Sequence, residues 1–430
     1  MDAITRSAVT IDRAGRHSTA PLDIRQITAE QHQAFVASRT SVSFLQVPQW
    51  AAAKPGWVSE SVGWVAVDGR TVGAALVLYR RIPKLNRSLA YLPEGPVIDW
   101  GAPDLARWLE PLVEHLRARG AFTVRIGPPV QRRWWDAATL RSAIADGSAK
   151  RLDDVAPDGA GAHAEDVAAQ LRALGWRPAP GYDDGADEDA ASAGFAAGQP
   201  SHVFQVPLGG RSLSEVFAGM GQQWRRNIRT SERLDVEVVS GGAEDLDTFH
   251  QLYVTTAARD GFTPRPRAYF PRMWEALNTD FSRSAVSEAV DRYVLGPDGE
   301  PHGNPPGGAP GRPETRLYLA RHQGNVLAAS ITVRVGDHVW YSYGASADHD
   351  RRLKPSNALQ WRMLSDAHAT GAGVYDLRGI GASLDAEDPL FGLTRFKLGS
   401  GGRAVEYLGE WELPINRLLH RAVGAYLARR

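Results

Sequence analysis

The sequence predicts two mixed α/β domains built to one plan and set in tandem. The first observation is a repeated hairpin. GWVAVDGRTVGAALVLYRRI has two strand-like runs flanking Asp68-Gly69, and RLYLARHQGNVLAASITVRVG repeats strand, turn and strand around Gly324. The second is a helix and a strand after each hairpin. LARWLEPLVEHLRARG has helical spacing of Leu105, Leu109, Leu112 and Leu116, stops at Gly120 and leads into the strand AFTVRI. SNALQWRMLSDAHATGAGVYDLRGI repeats helix, glycine (Gly371) and strand. The turn glycines lie 255 residues apart and the helix-ending glycines 251, as expected of a duplicated unit. Such units form a mixed sheet with helices packed against it.

The other elements come in chain order. Residues 1–20 read as a tail, and DIRQITAEQHQAFVAS as a short strand leading into a helix. SFLQVPQWAAAKPGW puts Lys54 just beyond a strand, between Trp50 and Trp57. EDVAAQLRALG is a further helix. DDGADEDAASAGFAAGQ is acidic and glycine-rich and reads as a linker. LGPDGEPHGNPPGGAPGRPE, about residues 295–314, is a Pro/Gly-rich excursion. The expected domains are therefore 21–195 and 196–400, after the tail.

Composition narrows the function classes. With 430 residues, 43% hydrophobic and 23% charged, the chain reads as a globular protein of two domains. Forty-nine basic residues balance forty-nine acidic ones, which speaks against a dedicated duplex-DNA binder but leaves room for a local basic cleft. There is no cysteine, hence no disulfide, thiolate nucleophile or cysteine metal site. Neither a signal peptide nor a transmembrane segment is expected. Twelve scattered histidines give no metal-ligand spacing. P-loop, zincin and nucleophile-elbow motifs are missing.

Several stretches bear chemistry. WRRNIRTSERLDVEV carries Arg225, Arg226, Arg229 and Arg233; the first, third and fourth share a helix face that suits phosphate or simply solvent. SLAYLPEGPVIDW sets Asp99 after a rigid proline–glycine turn, where it can orient an ammonium or a hydroxyl. In VWYSYGASADHDRRLKP, strand alternation puts Tyr341 and Tyr343 on one side as a candidate substrate wall. FGLTRFKLGSGG places Lys397 before a glycine cluster, where it can face a developing oxyanion. The chain has only five lysines (Lys54, Lys84, Lys150, Lys354 and Lys397), a bias that fits a GC-rich genome.

Taken together, FLQVPQWAAAK, YLPEGPVIDW, WRRNIRTSERLDVEV, LYVTTAARDGF, YSYGASADHDRRLKPSNALQW, YDLRGI and FGLTRFKLGSGG resemble, in this order, the Fem (FemABX) family of non-ribosomal peptidyl transferases. The resemblance spans most of residues 41–415. It implies two tandem acetyltransferase-like domains, with the chain end (about 400–430) completing the first, and the short span from Leu234 to Asp260 implies no long helical arm. It implies an aminoacyltransferase of cell-wall biogenesis that needs no cofactor, takes aminoacyl-tRNA as co-substrate and accepts on lipid II or UDP-MurNAc-pentapeptide. It also implies a cytoplasmic place at the inner membrane face. By the same resemblance, Lys54, Arg226 (or Arg229 if the register slips), Tyr343 and Lys397 line the precursor site, with Tyr341 added as a substrate-binding candidate by strand alternation alone. Lys397 and Asp99 are the catalytic candidates, and no metal is implied.

In the residues themselves three alternatives stay open. One is a CoA-dependent N-acyltransferase, for which RIGPPVQRRW is a poor pyrophosphate loop because its prolines lack N–H donors. The others are a non-catalytic precursor- or RNA-binding protein and aminoacyl transfer to a different acceptor.

Overall fold

The computed structural model describes residues 22–83, 85–179, 198–279, 294–295, 301–302 and 312–427. The expected tail, almost all of the acidic linker and most of the Pro/Gly excursion lie outside the described residues. The first half runs β1 (Asp23–Ile27), α1 (Ala29–Ala37), β2 (Val58–Val65), β3 (Thr71–Arg81), β4 (Ser88–Leu92), α2 (Ala106–Ala118) and β5 (Ala121–Ile126). It continues with β6 (Gln131–Asp136), α3 (Ala137–Ala145), β7 (Gly159–Ala160), α4 (Ala164–Ala173) and β8 (Arg177–Pro178). The second half opens with β9 (His202–Pro207), α5 (Leu213–Gly219), α6 (Gln222–Arg233), β10 (Glu237–Gly241), α7 (Leu246–Asp260) and α8 (Tyr269–Asn278). After the short β11 (Val294–Leu295) and β12 (Pro301–His302) come β13 (Glu314–His322), β14 (Asn325–Val335), β15 (His338–Ser346), α9 (Pro355–Ala369) and β16 (Val374–Gly379). The chain closes with α10 (Phe391–Gly399), β17 (Arg403–Tyr407), β18 (Trp411–Pro414) and α11 (Arg417–Leu427).

Two large sheets result, ordered β1-β2-β3-β4-β5-β18-β8 and β10-β13-β14-β15-β16-β9-β17-β6-β7. Their first five strands repeat one plan. Antiparallel strands lead through a helix to a parallel partner, β5 beside β4 and β16 beside β15. The repeat glycines explain why the sequence shows it. Gly69 and Gly324 both turn at φ 82°, and Gly120 and Gly371 end their helices at φ 84° and 76°. A side chain in that left-handed region clashes with its own backbone, so glycine is favoured. The fold is thus two tandem acetyltransferase-like lobes; among the described residues there is no long helical arm, the longest helices, α7 and α9, having 15 residues each.

The lobes interlock. β18 leaves the second sheet's neighbourhood and pairs with β5 and β8 in the first sheet, while β6 from the first half pairs with β17 in the second. One apolar core contains Phe44, Trp50, Leu76 and Leu78 from the first half and Phe249, Phe270, Leu319 and Trp340 from the second. Each such side chain contributes about 1.5–3 kcal/mol on burial, so the junction is held firmly. Its builder corrects one expectation: SFLQVPQW is not a strand but two 3-10 turns, Phe44–Gln46 and Pro48–Ala53. Ser43 Oγ accepts the Leu45 N–H, and Pro48 has no N–H to give to a ladder. Among the described residues no helix is long and apolar enough to cross a membrane.

Candidate active site between the lobes

Two cavities open at the lobe junction, and one thin wall separates them. The smaller, about 190 Å³, is lined by Lys54 and Arg80 from the first half and by Arg265, Arg272, Tyr269 and Tyr343 from the second. Lys54 caps the 3-10 turn, so its position is set by Trp50 packing into the shared core. Its Nζ lies 4.8 Å from the Trp50 ring and 6.0 Å from the Tyr269 ring. Arg265 lies 5.0 Å over Tyr269, and Arg80 lies 5.4 Å over Trp57. The Tyr269 and Tyr343 hydroxyls are 2.8 Å apart. Among the described residues no carboxylate lines this cavity. Four cations, three of them beside aromatic faces, suit an anionic group such as a diphosphate.

The larger chamber, about 840 Å³, mixes charges. Its lining includes Asp99, Arg39 and His163 from the first half, and His338, Asp376 and Arg378 from the second. Asp376 is buried, accepts from Gln205 Nε2 at 2.9 Å and lies 3.3 Å from His338 Nε2. The His338 contact helps hold its carboxyl below the usual range against the cost of burial.

The wall is an ion-pair bridge. Arg378 donates through Nη1 to Glu94 Oε1 and through Nη2 to Gln199 Oε1, both at 2.9 Å. Both ends are locally strained: Arg378 has φ 62° and Glu94 φ 47°. Gln199 lines both cavities and is pinned from behind. Its N–H donates to Glu410 Oε1 at 3.2 Å, and the Tyr91 hydroxyl donates to the same oxygen at 2.5 Å. Burial pushes the Glu410 carboxyl up to about 7, with Arg125 opposing.

The sequence candidates therefore separate. Lys54 and Tyr343 meet in the small cavity, and Asp99 faces the chamber. Tyr341 does not join Tyr343. A β-bulge pairs Thr332 with Tyr341 and Ile331 with Tyr343, so Ser342 is an extra residue and the alternation breaks. Tyr341 packs against the core on the other face, lying so close over Gly344 that a Cβ there would meet its hydroxyl at 1.7 Å. Burial pushes Tyr341 up to about 12. Arg226 and Arg229 are exposed on α6, outside both cavities. That helix packs on α10: Trp224 lies 4.9 Å from Phe396, the neighbour of Lys397. Lys397, 4% exposed, donates through Nζ to the Gly379 carbonyl at the end of β16, at 2.5 Å. Arg265, Tyr269 and Arg272 escaped the sequence reading. For Arg265 and Tyr269 the signal was GFTPRPRAYF, an arginine with an aromatic four residues on, leading into a helix.

The profile of the FemAB family matches residues 27–177, 180–283 and 315–426. The chain belongs to the FemAB family. It is 24% identical over 432 residues to the lipid II:glycine glycyltransferase of Staphylococcus haemolyticus, covering 92% of this chain and 94% of that one. The enzyme of the same name from Staphylococcus aureus strain USA300 is 24% identical over 445 residues, with the same coverage of both chains. The crystal structure of FemX superposes with a TM-score of 0.70 at 21% identity, covering 93% of this chain and 99% of that one. The FemAB protein is thus an aminoacyltransferase of the peptidoglycan-precursor type. Its loop after β5 fits CoA poorly, because the Gly127 N–H already donates to Leu92 and Gly95 carbonyls and Pro128 and Pro129 have none. Among the described residues no cluster of three or more His, Asp or Glu is arranged to hold a metal.

Proposed function

We propose that this FemAB protein transfers an amino acid from aminoacyl-tRNA to the side-chain amine of the third stem residue of a peptidoglycan precursor. Glycine is the leading candidate for the donor residue, given the glycyltransferase relatives. The acceptor is lipid II or UDP-MurNAc-pentapeptide, which share a diphosphate. The observation that carries the reading is the small cavity, which brings Lys54, Arg80, Arg265 and Arg272 together beside Tyr269 and Tyr343. Lys54, Arg265 and Arg272 hold the diphosphate, and Tyr269 and Tyr343 pack against the adjoining sugar. Such an acceptor sets a cytoplasmic site of action at the inner membrane face.

The donor approaches from the α6–α10 side. Arg226 and Arg229 are exposed there and suit RNA phosphates, and the helix they occupy leads to Lys397. The aminoacyl ester is already activated, so no covalent enzyme intermediate is required. The acceptor ammonium gives a proton to Asp99 or to water, and the amine attacks the ester carbonyl. The tetrahedral oxyanion is stabilised by Lys397, and the tRNA ribose oxygen leaves with a proton. Bringing both reactants to one junction supplies much of the rate.

Reconstituted transfer tests this. Purified protein, tRNA charged with a panel of radiolabelled amino acids, and both precursor forms are combined. RNase-sensitive label in one precursor is the expected result. Tight precursor binding without transfer from any charged tRNA favours the binding-protein reading instead.

A further inference from the structure

Asp99 is not the only charged group on its side of the large chamber. Arg39, just after α1, lines the same cavity, and its guanidinium lies 4.3 Å over the Phe35 ring. Burial pulls the guanidinium below its ordinary range, and Asp99 is the nearby charged group that opposes this by favouring the charged form. Yet the two do not pair. Among the described residues Arg39 has no ion-pair partner, and its Nε is buried without a hydrogen bond. The Asp99 carboxylate accepts one bond, from the Gly101 N–H at 3.1 Å.

Opposite charges that face one cavity without touching are each partly desolvated and incompletely satisfied. A ligand resolves both at once if it brings a carboxylate for the guanidinium and an ammonium for the aspartate. The carboxylate can take the planar guanidinium in a two-pronged fit. A lysine side chain offers only the ammonium and leaves Arg39 as it is. An amine that shares its carbon with a carboxylate offers both groups.

We propose that Arg39 and Asp99 clamp an acceptor amine that stands beside a carboxylate, as at the free end of a diamino dicarboxylic acid, and that Arg39 selects it over a plain terminal amine. This rests on the function proposed above and names the class of its third residue. Asp99 positions the ammonium, Arg39 fixes the neighbouring carboxylate, and the amine is thereby held in one orientation. Phe35 keeps the guanidinium in place when the site is empty.

The test uses three UDP-linked precursors that differ only at the third residue: meso-diaminopimelate, its free carboxylate converted to a carboxamide, and lysine. Wild-type protein is expected to use the carboxylate-bearing precursor with kcat/KM at least tenfold above the other two. In Arg39→Gln the ratio between acceptors collapses toward one. Arg39→Lys, which keeps the charge but loses the planar fork, retains part of the preference. Equal use of all three by the wild type, or an Arg39→Gln variant that slows all three by one factor, overturns the clamp while the transfer function stands. Transfer to none of them overturns the proposed function and the clamp with it.

Discussion

Among the described residues the small cavity is lined by charge of one sign, with Lys54, Arg80 and Arg265 each laid near an aromatic ring. The chamber across the wall holds both signs, arranged as the Glu94–Arg378 and His338–Asp376 contacts and the unjoined Arg39 and Asp99. A single-sign cavity binds through total charge and accepts any anion of suitable size. A mixed one binds through the order of charges and so discriminates between ligands. The comparison teaches a division of labour, in which the cationic cavity anchors what every precursor shares and the chamber reads what differs. The bridge of Arg378, Glu94 and Gln199 keeps the two apart.

Substitutions can break or sharpen this division. The largest effect is expected at Lys397, which belongs to neither cavity. Lys397→Met should lower kcat at least a hundredfold, the order lost with one oxyanion donor, while precursor binding measured by calorimetry persists. Next come the anchors. Lys54→Ala and Arg265→Ala should each raise KM for the precursor about ten- to a hundredfold with little change in kcat, as for loss of a charged hydrogen bond. A fall in kcat instead would move the cavity from anchoring to chemistry.

A smaller effect concerns the wall. Glu410 titrates at about 7 when folded, above the usual carboxylate range, so the native state keeps a proton that the unfolded chain loses. Its contribution to stability is therefore present at low pH and declines as pH rises from about 4.5 through 7. Glu410→Gln should remove that decline, narrowing the Tm difference between pH 5 and pH 8 by a few degrees. His32 acts in the opposite sense: burial pulls it to about 3, so its share is lost as pH falls below about 6.5. The smallest effect is expected on α6. Arg226→Ala and Arg229→Ala should leave precursor KM within about threefold, as exposed sites do, and should soften the salt dependence of KM for aminoacyl-tRNA.

Much of the fold was legible because turn glycines and helical leucine spacing are local signals. Gly69, Gly324, Gly120 and Gly371 sit at positive φ, where glycine is favoured, and their recurrence exposed the duplication. The interlocking of the lobes was not legible, since nothing local in QRRWWD says that it will pair with RAVEY some 270 residues on. The site was half legible. Lys54 and Tyr343 could be picked out, but strand alternation failed at Tyr341 because one inserted residue, Ser342, reverses the faces. The arginine-rich α6 drew attention by density. Arg39 is solitary in sequence and Arg265 has only Arg267 near it, and their importance comes from the rings beneath them and the cavities they face.

The central claim is that the small cavity anchors the precursor's diphosphate. The direct test is a titration of UDP-MurNAc-pentapeptide into wild-type protein and into the Lys54→Ala/Arg265→Ala double variant, with and without inorganic pyrophosphate as competitor. The account expects pyrophosphate to compete with the precursor in the wild type, and the double variant to bind the precursor at least a hundredfold more weakly. Undiminished binding by the folded double variant, with pyrophosphate unable to compete in either protein, would contradict it.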